Sequence, residues 1–145
     1  MIGKTASTLL HTARIPVRWG DMDRYGHVNN TRYLQYLEEA RIDWFASLDI
    51  DIDQDPQGPV LLQVQHTYLK PVVHPATVIV ELYAGQAGRS SLVLEHRLSL
   101  EQDPHGRYGE GFCKLVWIDH ADNRSVPLPD SLRALAGAPE STRQT

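Results

Sequence analysis

The sequence predicts an α+β fold, in which a curved antiparallel β-sheet wraps around one long central helix. Three observations predict this class. Apolar residues alternate with polar ones near the start of the chain, and then recur every three or four residues through one long segment. Four further runs with strand patterning follow, separated by short stretches rich in glycine, proline and polar residues. A single helix and a sheet with one apolar face bury most apolar surface when the sheet curves around the helix.

The first element is a strand over residues 9–19. Its apolar side has the two-residue period of a half-buried strand and consists of Ala13, Ile15, Val17 and Trp19. Pro16 lies within the run, and proline has no backbone N–H to donate to a neighbouring strand. We therefore expect this strand at the edge of the sheet, or interrupted by a bulge.

The second element is a helix over residues 31–48. Its apolar stripe has helical spacing and consists of Tyr33, Leu37, Ala40, Trp44 and Leu48, widened by Leu34 and Phe45. So broad a stripe predicts a helix mostly surrounded by other structure and exposed chiefly along Arg32, Gln35, Glu39 and Asp43. Asn29 or Asn30 is the predicted N-cap, because an asparagine side chain accepts a hydrogen bond from the free N–H groups of the first turn.

Four strands complete the sheet, over residues 60–70, 77–84, 90–100 and 108–119. In the third of these strands, the even-numbered positions are largely apolar and include Leu92, Leu94, Leu98 and Leu100. The alternate positions include the polar residues Glu95, Arg97 and Ser99. One face of the sheet is therefore covered and the other faces water. The segment PDSLRALAG predicts a short amphipathic C-terminal helix before a polar tail. We expect one domain over residues 1–145, with its core within about residues 10–120.

Composition excludes several functional classes. The chain has a formal net charge of −4 and no basic run, so it lacks the charge pattern of a nucleic-acid-binding protein. No apolar stretch approaches the ~18 residues that a membrane-spanning helix needs. The N-terminal segment has too short an apolar run for a signal peptide. A single cysteine cannot form an internal disulfide, which is typical of a reducing compartment. We expect a cytoplasmic protein.

Motifs for metal binding and for serine or cysteine nucleophiles are absent from the sequence. The stretch beginning at Asp21 starts like a calcium loop, but Tyr25 and Arg32 occupy positions that require an acid or amide and a glutamate. The histidines show no zinc-ligand spacing, and no G-x-S-x-G elbow occurs. Cys113 lies within an apolar strand and is expected to be a buried, unreactive thiol. We expect no metal ion and no other cofactor.

The loop GDMDRYGHVNN, residues 20–30, carries the candidate chemistry. Acyl transfer needs a group that attacks a carbonyl or activates water, together with donors for the oxyanion that develops. Asp23 can supply the first, and the backbone N–H groups near Asn30, at the positive end of the helix dipole, can supply the second. His27 lies between them as a possible donor or water-orienting group. The alternative is a polar loop that only caps the helix and holds itself by its own hydrogen bonds.

A resemblance favours the catalytic interpretation. Residues 19–41, WGDMDRYGHVNNTRYLQYLEEAR, resemble the signature of hotdog-fold acyl thioesterases of the 4-hydroxybenzoyl-CoA thioesterase-like type. They are also similar to the D-x-N-x-H-V-N-N stretch of acyl-ACP thioesterases. The resemblance implies that Asp23 is the catalytic carboxylate, that the backbone N–H of Asn30 polarises the thioester carbonyl, and that His27 assists. Tyr25 stands where the acyl-ACP enzymes carry a catalytic asparagine, so an acyl-CoA substrate is favoured over an acyl-ACP one.

The same resemblance implies positions for the substrate. It places the acyl pocket beside Tyr25 and beside Gly58, Pro59 and Val60, at the start of the second strand. It places the CoA phosphates at a turn formed by Arg89, Ser90 and Ser91, where an arginine and hydroxyls suit a phosphate. A solvated hairpin turn is the alternative for these last three residues. Asp21 is expected to be structural, and Glu38 and Glu39 to be solvated or paired with Arg41.

The expectation from the sequence is therefore a hotdog-fold acyl-CoA thioesterase that hydrolyses its substrate to a carboxylic acid and free CoA. The family resemblance implies a homodimer or a homotetramer built as a dimer of dimers, with the site between two subunits. Two alternatives stay open, a non-catalytic protein that binds acyl thioesters and an acyl-ACP thioesterase.

Overall fold

The computed structural model describes residues 8–136 and confirms the predicted fold class, a curved antiparallel sheet around one long helix. In chain order the elements are β1 Leu9–Pro16, a 3-10 turn Trp19–Asp21, α1 Asn30–Ser47, β2 Gln57–Tyr68, β3 Thr77–Ala87, β4 Ser91–Leu100, β5 Gly109–Asp119, β6 Arg124–Ser125 and α2 Asp130–Leu135. The long helix and the four strands after it lie within a few residues of their predicted positions. The polar tail predicted after α2 falls outside the described residues.

The sheet has the strand order β1-β3-β4-β5-β2, and every neighbouring pair is antiparallel. The short strand β6 pairs with the end of β5. The predicted edge position of β1, indicated by Pro16, is confirmed. The other edge strand is β2, whose pairing with β5 is interrupted by a bulge at Leu62. Among residues 8–136, β2 therefore has one side of its backbone without a strand partner.

The core lies between α1 and the concave face of the sheet. The helix buries Tyr33, Leu37, Ala40, Trp44 and Phe45 completely or nearly so. Its backbone lies nearest to β1 and β3. A gap of about 190 Å³ lies between α1 and the edge strand β2, lined by residues that include Leu34 of the helix and Leu61 and Val64 of the strand. None of the helices in the described part of the chain is long and apolar enough to cross a membrane.

Two apolar residues that the sequence predicts to be buried are exposed in the structure. Trp19 was expected on the buried side of the first strand, but it is 80% exposed, because β1 ends at Pro16 and the chain enters a 3-10 turn that breaks the alternation. Leu34 was expected to widen the buried stripe of α1, but it is 41% exposed. It faces the gap toward β2, where no described element covers the helix.

The alternation predicted for β4 is confirmed from Leu92 to Leu98, whereas Ser99, expected on the face toward water, is buried. Leu92, Leu94, Leu98 and Leu100 are buried on the covered face, and His96 lies among them with only 3% of its surface exposed. Its partner is His66 of β2, whose ring stacks on it, with 2.9 Å between His66 Nδ1 and His96 Nε2. The covered face of the sheet thus carries a pair of imidazoles on β4 and β2, and a third imidazole on the edge strand β1, where His11 lies 2.6 Å from the Asp43 carboxylate of α1.

Candidate active site

The loop before α1 is a small closed hairpin. Met22 and Val28 form an isolated antiparallel bridge. Within it the Asp23 N–H donates to the His27 carbonyl at 2.9 Å, and the Gly26 N–H donates to the Asp23 carbonyl at 3.0 Å. Gly26 has a φ of +79°, a conformation that glycine adopts without steric cost. Gly26 therefore turns the chain within the loop GDMDRYGHVNN, so that Asp23 faces back toward the helix.

Asp21 has the structural role expected for it. Its carboxylate is buried and accepts hydrogen bonds from the Arg18 N–H at 3.0 Å and from the Tyr36 hydroxyl at 2.7 Å. Burial favours protonation, but these hydrogen bonds and the charges of Arg18 and Arg32 outweigh it and hold the pKa of Asp21 below its ordinary value. Arg32, expected to be exposed, is partly buried because it lies beside this carboxylate. Asp21 anchors the loop to the helix.

Asp23, the candidate catalytic carboxylate, is half-buried and held on both oxygens. Oδ1 accepts a hydrogen bond from the Tyr25 N–H at 2.9 Å, and Oδ2 accepts one from Nδ2 of Asn29 at 3.3 Å. Each oxygen keeps capacity for a further donor. The carboxylate is thus fixed in orientation but still open to a water or a substrate.

The start of α1 offers a free donor beside this carboxylate. Asn29 is the N-cap, and its Oδ1 accepts from the Thr31 N–H at 2.9 Å. Asn30 is the first helical residue, and its backbone N–H has no hydrogen-bond partner among residues 8–136. The Asn29 side chain thus contacts the Asp23 carboxylate with one end and the helix start with the other.

Two separate cavities adjoin the loop. One, of about 390 Å³, is lined by His27, Val28, Asn30, Tyr33 and Tyr68, with residues 69–71. The other, of about 510 Å³, is lined by Asp23, Trp19, Met22, Arg24 and His74, with two glycines. Within one chain, Asp23 and the helix start therefore border neighbouring cavities and are joined through Asn29.

His27 and Tyr25 lie on the exposed side of the loop. His27 lines the cavity that also borders Asn30. Tyr25 is 87% exposed and lines neither of the two cavities. In a single chain Tyr25 is therefore accessible to a ligand or a neighbouring subunit, but it does not form a wall of either cavity.

The remaining predicted substrate residues lie at the opposite end of the sheet. Gly58 pairs with Ile118 and Ser91 pairs with Val116, so both lie beside the end of β5, whereas Tyr68 pairs with Gly109 at its start. At about 3.3 Å per residue, Gly58 is roughly 30 Å from Tyr68 along β2. The structure thus brings Gly58, Pro59 and Val60 to the same end of the sheet as Arg89, Ser90 and Ser91, but it does not bring either group to Asp23.

The turn formed by Arg89, Ser90 and Ser91 is held by main-chain contacts. The Arg133 guanidinium of α2 donates to the Gly88 and Arg89 carbonyls at 3.0 and 2.8 Å. The Arg89 side chain is exposed. The turn therefore carries one exposed cation, a geometry compatible with a phosphate contact and equally with a solvated turn.

Other titratable groups are placed away from the loop chemistry. Burial raises the pKa of the Cys113 thiol, which lies in the core as expected. Glu38 and Glu39 are exposed on α1, and no ion pair joins either to Arg41 within the described part of the chain. No three histidine, cysteine or acidic side chains between residues 8 and 136 lie close enough together to hold a metal ion.

The sequence did not identify three residues at the site. Asn29 was named only as a possible cap, although its amide also holds Asp23. Tyr33 and Tyr68 line the cavity at the helix start, and the Tyr68 hydroxyl donates to the Asn30 carbonyl at 3.0 Å. The two consecutive asparagines in the sequence could have indicated the role of Asn29. The position of Tyr68 could not be found in the same way, because it depends on contacts across 38 residues of chain.

The comparison with known proteins agrees with the fold. The family model of the thioesterase-like superfamily matches residues 17–135. The long-chain acyl-CoA thioesterase FadM of Escherichia coli is 28% identical over 130 residues, which cover 83% of this chain and 92% of FadM.

Solved structures match over most of the chain. The PA2801 protein of Pseudomonas aeruginosa, assigned as a candidate thioesterase, is 72% identical with a TM-score of 0.85, covering 88% of this chain and 98% of that one. The XC229 protein of Xanthomonas campestris, assigned as a candidate acyl-CoA thioesterase, is 35% identical with a TM-score of 0.75, covering 83% of this chain and 100% of that one.

Proposed function

Because the chain belongs to the thioesterase-like superfamily, we propose that it is an acyl-CoA thioesterase, which hydrolyses an acyl-CoA to a carboxylic acid and free CoA. One observation carries the proposal. The Asp23 carboxylate and the free N–H of Asn30 are linked through a single residue, Asn29, which donates to the first and caps the helix that begins with the second. A potential nucleophile or base and a potential oxyanion donor are thereby held in fixed relation.

In the proposed reaction the thioester oxygen accepts a hydrogen bond from the Asn30 N–H. That N–H points out of the positive end of a helix of 18 residues, which favours the negative charge of a tetrahedral intermediate. Asp23 either attacks the carbonyl carbon to form an anhydride that water cleaves, or takes the proton from a water that attacks it. In both routes the thiolate of CoA leaves and is protonated. His27 assists as a donor or by orienting water.

The active form is proposed to be a homodimer or a dimer of dimers. The free edge of β2 exposes Val60, Leu61 and Leu62, and natural proteins rarely leave a long apolar edge strand bare. Antiparallel pairing of two β2 edges about a two-fold axis near Leu62 sets the start of one strand beside the end of the other. Gly58 of the partner subunit would then lie near Tyr68, closing the roughly 30 Å that separates the two groups of predicted substrate residues in one chain.

The same pairing supplies roles for the remaining predicted contacts. The partner subunit would bring its Gly58, Pro59 and Val60 to the acyl group at Asn30, and its exposed Arg89, with Ser90 and Ser91, toward the CoA phosphates. Tyr25, exposed at the loop tip, would contact the substrate at this joint. The protein is proposed to be a single cytoplasmic domain that uses neither a metal ion nor an organic cofactor.

The names of the relatives support CoA as the carrier, since FadM and the Xanthomonas protein are both named with acyl-CoA. The rival is a non-catalytic protein that binds acyl thioesters in the same fold. A thiol-release assay with the purified protein and acyl-CoAs of graded chain length, aliphatic and aromatic, separates the two. We expect release of free CoA from at least one of them at enzymatic rates. Binding of acyl-CoA without release would refute the thioesterase proposal.

A further inference from the structure

The edge strand β2 contacts the start of α1 through the rings of His66 and Tyr68, which pack on Tyr33, and through one hydrogen bond. The Tyr68 hydroxyl, on the last residue of β2, donates to the carbonyl of Asn30, the first residue of α1, at 3.0 Å. Elsewhere the helix packs mainly on β1 and β3. The Tyr68 hydrogen bond therefore joins the helix start to the strand across the cavity that both residues line.

The Tyr68 ring is itself held in place. It makes T-shaped contacts with the ring of Tyr33 on α1, with 5.0 Å between ring centroids, and with that of His66, with 4.7 Å. His66 is fixed in turn by its hydrogen bond with the buried His96. Beneath it lies Gly109, where any added Cβ would come within 2.5 Å of the imidazole. These contacts keep the Tyr68 hydroxyl aimed at Asn30 before any substrate binds.

We propose that Tyr68 is a positioning residue for the reaction, which fixes the free N–H of Asn30 by holding the carbonyl of the same residue. The inference rests on the proposed thioesterase function. An oxyanion donor lowers the barrier only when it is aligned in advance, and helix ends fray when they are not tied. Tyr68 acts through Asn30, so its contribution falls on the transition state and not on substrate binding.

The variant Tyr68→Phe keeps the ring and removes only the donor. Partial misalignment of the Asn30 N–H weakens its hydrogen bond to the oxyanion without removing it, which predicts a fall in kcat of about 5- to 10-fold with KM unchanged. Because the oxyanion is common to every substrate, the fall in kcat should be equal for short and long acyl chains. Tyr83→Phe is the matched control, since it removes a phenol hydrogen bond to Glu81 on β3, distant from the loop.

The experiment measures kcat and KM of both variants with acyl-CoAs of three chain lengths, and the amide hydrogen exchange of residues 30–32. We expect Tyr68→Phe to lower kcat uniformly and to speed exchange in this first turn, and Tyr83→Phe to do neither. An unchanged kcat with unchanged exchange overturns the proposal. A KM that rises with chain length at constant kcat also overturns it, because Tyr68 would then be a wall of the acyl site. If the parent releases no thiol from any acyl-CoA, the thioesterase proposal fails, and the exchange rates still decide whether Tyr68 holds the helix start.

Discussion

The loop before α1 carries two aspartates, and the structure predicts opposite effects for their amide variants. Asp21 is buried, and both of its hydrogen-bond donors, the Arg18 N–H and the Tyr36 hydroxyl, meet Oδ2. Its Oδ1 faces the guanidinium groups of Arg18 at 3.6 Å and Arg32 at 3.8 Å. The variant Asp21→Asn is nearly isosteric but must turn its NH₂ group toward one of these two sets of donors.

Both orientations of the amide are unfavourable. In either orientation the ion pairs with Arg18 and Arg32 are lost together with the charge. With the NH₂ toward the arginines, donors oppose each other. With the NH₂ on the other side, it opposes the Arg18 N–H, whose hydrogen bond to a charged acceptor, worth about 1.5–3 kcal/mol, is lost, while the Tyr36 hydroxyl can turn to accept. We expect Asp21→Asn to lower the free energy of unfolding by about 2–4 kcal/mol. Asp23 is half-buried and has weaker partners, so Asp23→Asn should cost less than about 1 kcal/mol.

Urea denaturation at pH 7 and at one fixed protein concentration measures both variants, because the stability of an oligomer depends on concentration. Tyr36→Phe removes one donor to Asp21 and should have an effect between the two. The reasoning about Asp21 is wrong if Asp21→Asn shifts the unfolding free energy by less than about 0.5 kcal/mol, or if Asp23→Asn is the more destabilising variant.

Three further predictions concern the histidines and the sheet edge. Burial lowers the pKa of His66 to about 4 and that of His96 to about 3, so below pH 6.5 the unfolded chain binds more protons than the folded one. The free energy of unfolding should therefore fall by about 2–4 kcal/mol between pH 7 and pH 5. Urea titrations at the two pH values would show this fall, and a pH-independent stability would contradict it. Light scattering at micromolar concentration should give a mass at least twice the 16.4 kDa of one chain. The variant Leu62→Glu on the β2 edge should lower that mass. A monomeric parent protein would refute the shared site. His27→Gln should retain more thioesterase activity than His27→Ala, within about 10- to 100-fold of the parent, and a loss as complete as that of Asp23→Asn would make His27 a principal catalyst.

The parts of the fold that follow from local patterning could be predicted from the sequence. The period of α1, the asparagine at its start and the proline in β1 each act within a few residues of themselves. Trp19 could not be placed in the same way, because its exposure follows from where β1 ends and a 3-10 turn begins. Leu34 shows a second limit, since its exposure depends on how far β2 lies from the helix.

The candidate site likewise contains residues that a local motif predicts and residues that depend on strand register. Asp23, His27 and Asn30 lie on one short loop, so a motif of eleven residues was enough to bring them together. Tyr68 reaches the end of this loop only through the register of β2 on β5, which no local pattern encodes. The distance between Gly58 and Asp23 within one chain has the same origin, and only a second subunit is expected to close it.

The most direct test of the proposed function is the turnover of Asp23→Asn, measured as CoA release from the best acyl-CoA substrate of the parent. The variant keeps an acceptor for the Tyr25 N–H and should keep its fold and oligomeric mass, which circular dichroism and light scattering check. We expect its kcat to be at least about 100-fold below that of the parent, because neither nucleophile nor base remains at that position. A correctly assembled Asp23→Asn variant with a near-parental rate would contradict the account, and the exposed carboxylate of Glu38 on α1 would be tested in its place.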